Sequence, residues 1–267
     1  MPFVGFESEV VIIMLYIQIL MFLYVFFIGT IFGSFFNVVG IRVPLNQSLL
    51  GRSHCPSCNK VLGWLELFPI MGYIVLRGKC KTCKVNISPK YPLMELLTGL
   101  LFLLSFVMLY ENLLEFFLLV TFISLMVILS VSDLYYKIVP NKILLVFLPI
   151  IFTLRMFSPA ILWYNAIIGA FMGFGVLYLI SIYGKKRFKQ EALGGGDIKL
   201  YFIVGLVLGI ELVFLSVLFA SVLGLLYSVI FIRKKGYIPF VPFILAGSLL
   251  AYFYGQHIID WYISLIF

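Results

Sequence analysis

The chain is a series of long apolar runs interrupted by one extended polar stretch. Runs fall at 10–36, 93–109, 113–131, 138–157, 160–183, 193–210, 212–232 and 240–266. Each is close to the ~20 residues that a helix needs to cross a bilayer core. Their unbroken apolar character fits helices and not the alternating pattern of an outer-membrane barrel. The prediction is an all-α, polytopic membrane helix bundle of about eight spans. The polar stretch is the candidate extramembrane domain. It divides the chain into a first transmembrane span (1–37), a cytoplasmic cysteine-rich segment (38–92) and a seven-span core (93–267).

Composition agrees with the pattern. Of 267 residues, 63% are hydrophobic and only 11% charged, and the mean hydropathy is +1.16, which excludes a soluble globular domain. A net charge of +8 could suggest nucleic acid, but membrane orientation accounts for it. The stretch 38–92 carries eight of the 19 basic residues, Lys137 and Lys142 two, the region from Lys185 to Lys199 five, and Arg233 to Lys235 three. In the eight-span reading these 18 share one side, leaving Arg155 alone on the other with Glu7, Glu9, Glu111, Glu115, Glu211 and Asp260. The positive-inside rule then makes 38–92 cytoplasmic and puts the N-terminus outside. No basic residue precedes the first run, so no cleaved signal peptide is expected.

Cys55-Pro56-Ser57-Cys58 and Cys80-Lys81-Thr82-Cys83 form two C-x-x-C pairs. Each pair can grip one edge of a metal ion, and four thiolates suit tetrahedral zinc in a loop-rich segment too small for its own core. A redox dithiol and unpaired thiols are the alternatives. The reducing cytoplasm argues against structural disulfides. His54 beside Cys55 is read as a bystander, because four cysteines fill the shell.

Acidic residues at the cytoplasmic ends of spans are few. Asp133 closes the third span, and Asp197 follows Gly194-Gly195-Gly196 about one turn inside the sixth. Carboxylates at that depth are costly and mark functional sites. Two at one level can share a proton and activate a water. The plainer alternative is a loop neighbour for Asp133 and an ion pair with Lys199 for Asp197. Asn37 is expected to cap or cross-link helices, and Gly169, Ala170, Gly173 and Gly175 to form a helix-packing face.

Taken together, these motifs resemble the type IV prepilin peptidases, bifunctional leader peptidases and N-methyltransferases of bacterial pilus, secretion and competence systems. The resemblance rests on Gly33 to Pro44 (GSFFNVVGIRVP), both cysteine pairs, Leu76-Arg77-Gly78-Lys79-Cys80, Ile87 to Gly99 (ISPKYPLMELLTG), Asp133 with Pro140-Asn141, Gly194 to Lys199 (GGGDIK) and Ile238-Pro239-Phe240. It implies that Asp133 and Asp197 are the catalytic pair of a membrane aspartyl endopeptidase. It also implies zinc on Cys55, Cys58, Cys80 and Cys83, S-adenosylmethionine as methyl donor where methyl transfer is retained, and prepilin or pseudopilin substrates at the inner membrane. Glu66-Leu67-Phe68-Pro69 departs from the family's acidic-Asn-Ile-Pro pattern, in the region associated with methyl transfer. The competing class is a transporter or metal-handling protein with an aspartate ion relay, which internal repeats would favour; no convincing repeat is present.

Overall fold

The computed structural model describes residues 3–189, 194–231 and 238–266. These form helices α1 (Phe3–Arg42), α2 (Trp64–Leu67), α3 (Met71–Val75), α4 (Lys90–Leu109), α5 (Leu113–Tyr136), α6 (Asn141–Phe157), α7 (Trp163–Phe188), α8 (Gly195–Phe231) and α9 (Val241–Ile266). The fold is all-α, with two isolated β-bridges in the cysteine segment. Arg233 to Lys235, part of the basic count, lie outside the described residues, as do the side chains of Glu7 and Glu9.

The chain packs as two compact units, one built from Met1–Val38 with Leu50–Phe116, the other from Val39–Leu49 with Phe117–Phe267. In the first unit, α1 and α4 run antiparallel in close contact. A Cβ on Gly29 would lie 2.8 Å from Gly99 Cα, and one on Gly33 would lie 2.8 Å from Glu95 Cα. One turn further, Asn37 donates Nδ2–H to the Tyr91 carbonyl at 3.2 Å, cross-linking the two helices as expected. Small residues one turn apart let the backbones approach, and a polar side chain then bridges them. Between the cysteine pairs, Glu66 accepts the Gly63 N–H at 2.8 Å and caps α2. Ile70, a β-branched residue at φ 59°, starts α3, and its N–H donates to buried Glu95 Oε2 at 2.7 Å.

In the second unit α5 is the core helix, with Leu118, Leu119, Ile123, Leu125, Met126, Val127, Leu129 and Val131 fully enclosed. α7 and α8 cross where Gly169 meets Gly205, backbone against backbone, so the expected small-residue face packs a helix; Gly175 faces open space instead. The long α8 is two helices. Gly209 sits at φ 76°, ψ −175°, and a Cβ on Gly173 would lie 2.6 Å from Tyr201 O and 3.0 Å from Val213 Cγ2. In one straight helix residues 201 and 213 would be about 18 Å apart. The chain therefore folds back at Gly209 into legs 195–208 and 210–231. Arg155 of α6 donates Nη2–H to the Val207 carbonyl at 2.6 Å, at the C-terminal end of the first leg, where a cation complements the helix dipole. Asn165 of α7 accepts the Ile210 N–H at 2.9 Å and caps the second leg. Arg155, the one basic residue that the charge count puts on the other side, is completely buried.

Among the described residues six helices are long and apolar enough to cross a membrane, against about eight in the sequence reading. Two features account for the difference. α6 has only 17 residues and holds Pro149, and α8 joins two expected spans across Gly209.

Candidate active site and metal centre

Asp133 lies near the C-terminal end of α5 and Asp197 in the first turn of α8, both in the second unit and 3% and 5% exposed. The two carboxylates are close enough for the charge on one to act on the other. Local backbone positions each. Asp133 Oδ2 accepts the N–H of Val241, the first residue of α9, at 3.0 Å, and the Phe240 N–H also faces this carboxylate. A carboxylate at a helix N-terminus is favoured by the unpaired amides and the dipole. After Asp133, Lys137 at φ 57° ends α5 and donates its N–H to the Asp133 carbonyl. Asp197 donates its own N–H to the Gly194 carbonyl at 3.0 Å, which starts α8. Gly196 lets Val139 approach; a Cβ there would lie 2.5 Å from Val139 Cβ. Lys199 donates Nζ–H to Asn141 Oδ1 at 3.1 Å, tying the Asp197-bearing leg to the start of α6.

Beside Lys199 and Asn141 an open groove of about 570 Å³ runs between α6, α7 and the first leg of α8. Leu144, Leu148, Phe171, Phe174, Phe202 and Ile203 line it.

The four cysteines converge in the first unit. Their sulfurs all lie within 4.8 Å of one another, with Cys55 Sγ to Cys83 Sγ at 3.8 Å and Cys58 Sγ to Cys80 Sγ at 4.0 Å. Thiolates on one tetrahedral zinc, with Zn–S about 2.3 Å, stand about 3.8 Å apart, so the set fits a metal ion. All four are free thiols. The two pairs are built alike. Cys55 donates its N–H to Lys60 O and Cys80 to Val85 O, each at 2.9 Å, and the residue after each second cysteine, Asn59 or Lys84, turns the chain at positive φ. Backbone N–H groups of Cys83 and Thr82 hold the Cys80 thiol down to about 6 and those of Ser57 and Cys58 lower Cys55, while burial and the three neighbouring thiols push Cys83 up to about 11. Glu66 is held below the ordinary carboxylate range by the Gly63 N–H and by Lys60, 3.6 Å away. His54 stands outside the cluster, its Nδ1 3.3 Å from Arg52 O.

Three participants escaped sequence reasoning: the Phe240 and Val241 amides, Arg155, and the bond from Ile70 to Glu95. The Ile238-Pro239-Phe240 motif was the available signal for the first, because it precedes the helix whose amides face Asp133.

Fold and site define a multi-pass helical membrane protein with a buried carboxylate pair and a four-cysteine metal-type cluster. Residues 27–109 match the bacterial peptidase A24 N-terminal domain, and residues 119–229 match the type IV leader peptidase family. The chain belongs to this family. It is 39% identical over 246 residues to a prepilin leader peptidase/N-methyltransferase of Bacillus subtilis, covering 90% of this chain and 97% of the relative. A protein of the same description from Myxococcus xanthus is 38% identical over 221 residues, 80% of this chain and 64% of the relative. One from Klebsiella pneumoniae is 34% identical over 212 residues, 74% and 90%. No solved structure matches the chain.

Proposed function

We propose that this protein removes the short basic leader of type IV prepilins or pseudopilins at the cytoplasmic face of the bacterial inner membrane, with Asp133 and Asp197 as its catalytic pair. The observation that carries the reading is that two buried carboxylates, one from α5 and one from α8, lie within electrostatic reach of each other. Two like charges in a water-poor site favour one shared proton. The ionised carboxylate takes a proton from water as its oxygen attacks the scissile carbonyl, while the protonated partner hydrogen-bonds the carbonyl oxygen. Collapse breaks the C–N bond, and a proton passes to the leaving amine. The Val241 amide holds the Asp133 carboxylate in place for these transfers. The apolar groove beside Lys199 suits the hydrophobic helix that follows the cleavage point.

The full topology in this reading is eight spans, N-terminus outside, with 38–92 on the cytoplasmic side. Cys55, Cys58, Cys80 and Cys83 would hold a structural zinc, which staples a segment without a core of its own. The name shared by the relatives supports N-methylation of the new N-terminus, with S-adenosylmethionine as donor. A transport function is not favoured, since both family matches are to peptidases. The deciding experiment is cleavage of a candidate prepilin by purified protein with and without Asp197→Asn. Cleavage by the parent and none by the variant is expected; cleavage by both removes Asp197 from the mechanism.

A further inference from the structure

Several apolar side chains of the cysteine segment point away from it. Between the two cysteine pairs, α2, α3 and the turn joining them present Trp64, Leu65, Phe68, Met71, Ile74 and Val75 outward, with Trp64 94% and Ile74 60% exposed. A segment surrounded by water does not sustain such a patch without something to cover it.

Its level along α1 identifies the cover. Gly33 of α1 is paired with Glu95 of α4, and Glu95 accepts the Ile70 N–H, so the start of α3 lies at the Gly33 level. Phe68 reaches further. Its ring centroid is 5.7 Å from that of Phe27. Phe27 lies about 9 Å beyond Gly33 and about 22 Å from Arg42 at the ~1.5 Å helical rise. Phe27 also lies nine residues, about 14 Å, inside the end of the apolar run 10–36. Half a hydrocarbon core is about 15 Å thick, so the turn joining α2 to α3 sits beside a part of α1 that belongs to the apolar run.

The backbone is prepared for such a place. Irregular chain at membrane depth needs its polar groups paired. Pro69 has no N–H to satisfy. The Ile70 N–H goes to Glu95, the Gly72 N–H to the Phe68 carbonyl at 2.9 Å, and the Leu67 N–H to the Gly63 carbonyl at 3.0 Å. Gly72 brings the two short helices together, since a Cβ there would lie 2.5 Å from the Leu65 carbonyl oxygen. Buried Glu95, which the peptidase chemistry does not use, serves as the anchor.

We propose that α2 and α3 form a re-entrant helical pair that enters the bilayer leaflet at the Arg42 end of α1, with lipid acyl chains covering its outward face. Phe68 ties that face to Phe27 of α1, a helix whose most apolar window has no residue buried within the protein. At its mouth Arg77, Lys79 and Lys81 supply cations where anionic headgroups lie.

The test uses tryptophan emission from zinc-loaded protein in phosphatidylcholine–phosphatidylglycerol vesicles, with and without bromine on the acyl chains. W163F/W261F leaves the native Trp64 as the sole tryptophan, and a second protein adds Trp64→Phe and Ile74→Trp. The expected result is about twofold loss of emission in brominated vesicles for both proteins, with iodide from the aqueous side quenching each several-fold less than free tryptophan. Strong iodide quenching with no effect of bromine at either position would place the pair in water. Protection from both quenchers at either position would mean that protein covers it. Either result overturns the proposal.

Discussion

Replacing Gly209 with alanine strikes the point where α8 reverses. At φ 76°, ψ −175° the residue occupies a region open essentially to glycine, and forcing an L-residue into it costs about 1–3 kcal/mol. The added Cβ would also lie 3.0 Å from Asn165 Oδ1, the atom that caps the second leg through the Ile210 N–H. Displacing that cap adds about 1 kcal/mol, so Gly209→Ala should destabilise by roughly 2–4 kcal/mol in all. Reversible unfolding in mixed detergent micelles, followed by circular dichroism, measures it. Asn165→Ala alone should cost about 1 kcal/mol. The double variant should cost less than the sum of the singles, because the contact with the new methyl group is gone. Cleavage should fall with Gly209→Ala, since the leg that turns there carries Asp197. A Gly209→Ala protein within about 0.5 kcal/mol of the parent would refute the turn as described.

Asp133→Asn and Asp197→Asn should each abolish cleavage while leaving insertion and metal content intact. The double variant should be hardly worse than either single in a timed prepilin assay, and the parent's pH–rate profile should be bell-shaped with both limbs belonging to the pair. Elemental analysis of reduced protein should find one zinc per chain; a metal-free preparation that stays folded and active would exclude a structural zinc. Accessibility labelling of sites introduced near Lys186 and near Asn112 should report opposite faces of the membrane, and labelling of both from one side would overturn the eight-span topology.

Much of this architecture is legible in the sequence because the bilayer imposes a simple rule on it. Apolar runs of spanning length become helices, and the spacing of Cys55, Cys58, Cys80 and Cys83 brings four sulfurs together through two equivalent turns. Asn37 cross-links helices as its place at the end of an apolar run implies. What escapes hydropathy is set by partners distant in the chain. A sliding average puts the break in α8 at charged Glu211, whereas Gly209 makes the turn, with Arg155 and Asn165 on other helices supporting it. The burial of Arg155 is invisible to a charge count because its carbonyl partner is 52 residues downstream. In α2 and α3, lysines and cysteines nearby average away an apolar face that only the fold assembles. Asp133 and Asp197 could be nominated from their depth, but the amides at the start of α9 that hold Asp133 are 108 residues away.

The bond between Arg155 and Val207 also bears on how the chain is made. Synthesis delivers α6 with a guanidinium and Pro149 inside only 17 residues, well before the Val207 carbonyl exists. Emergence of the first leg of α8 supplies the carbonyl, and the Lys199 contact with Asn141 then fastens the other end of the same two helices. The bond between α6 and the first leg of α8 can therefore form only once the later helix has been made. The turn that carries Asp197 arrives as part of the element that completes it.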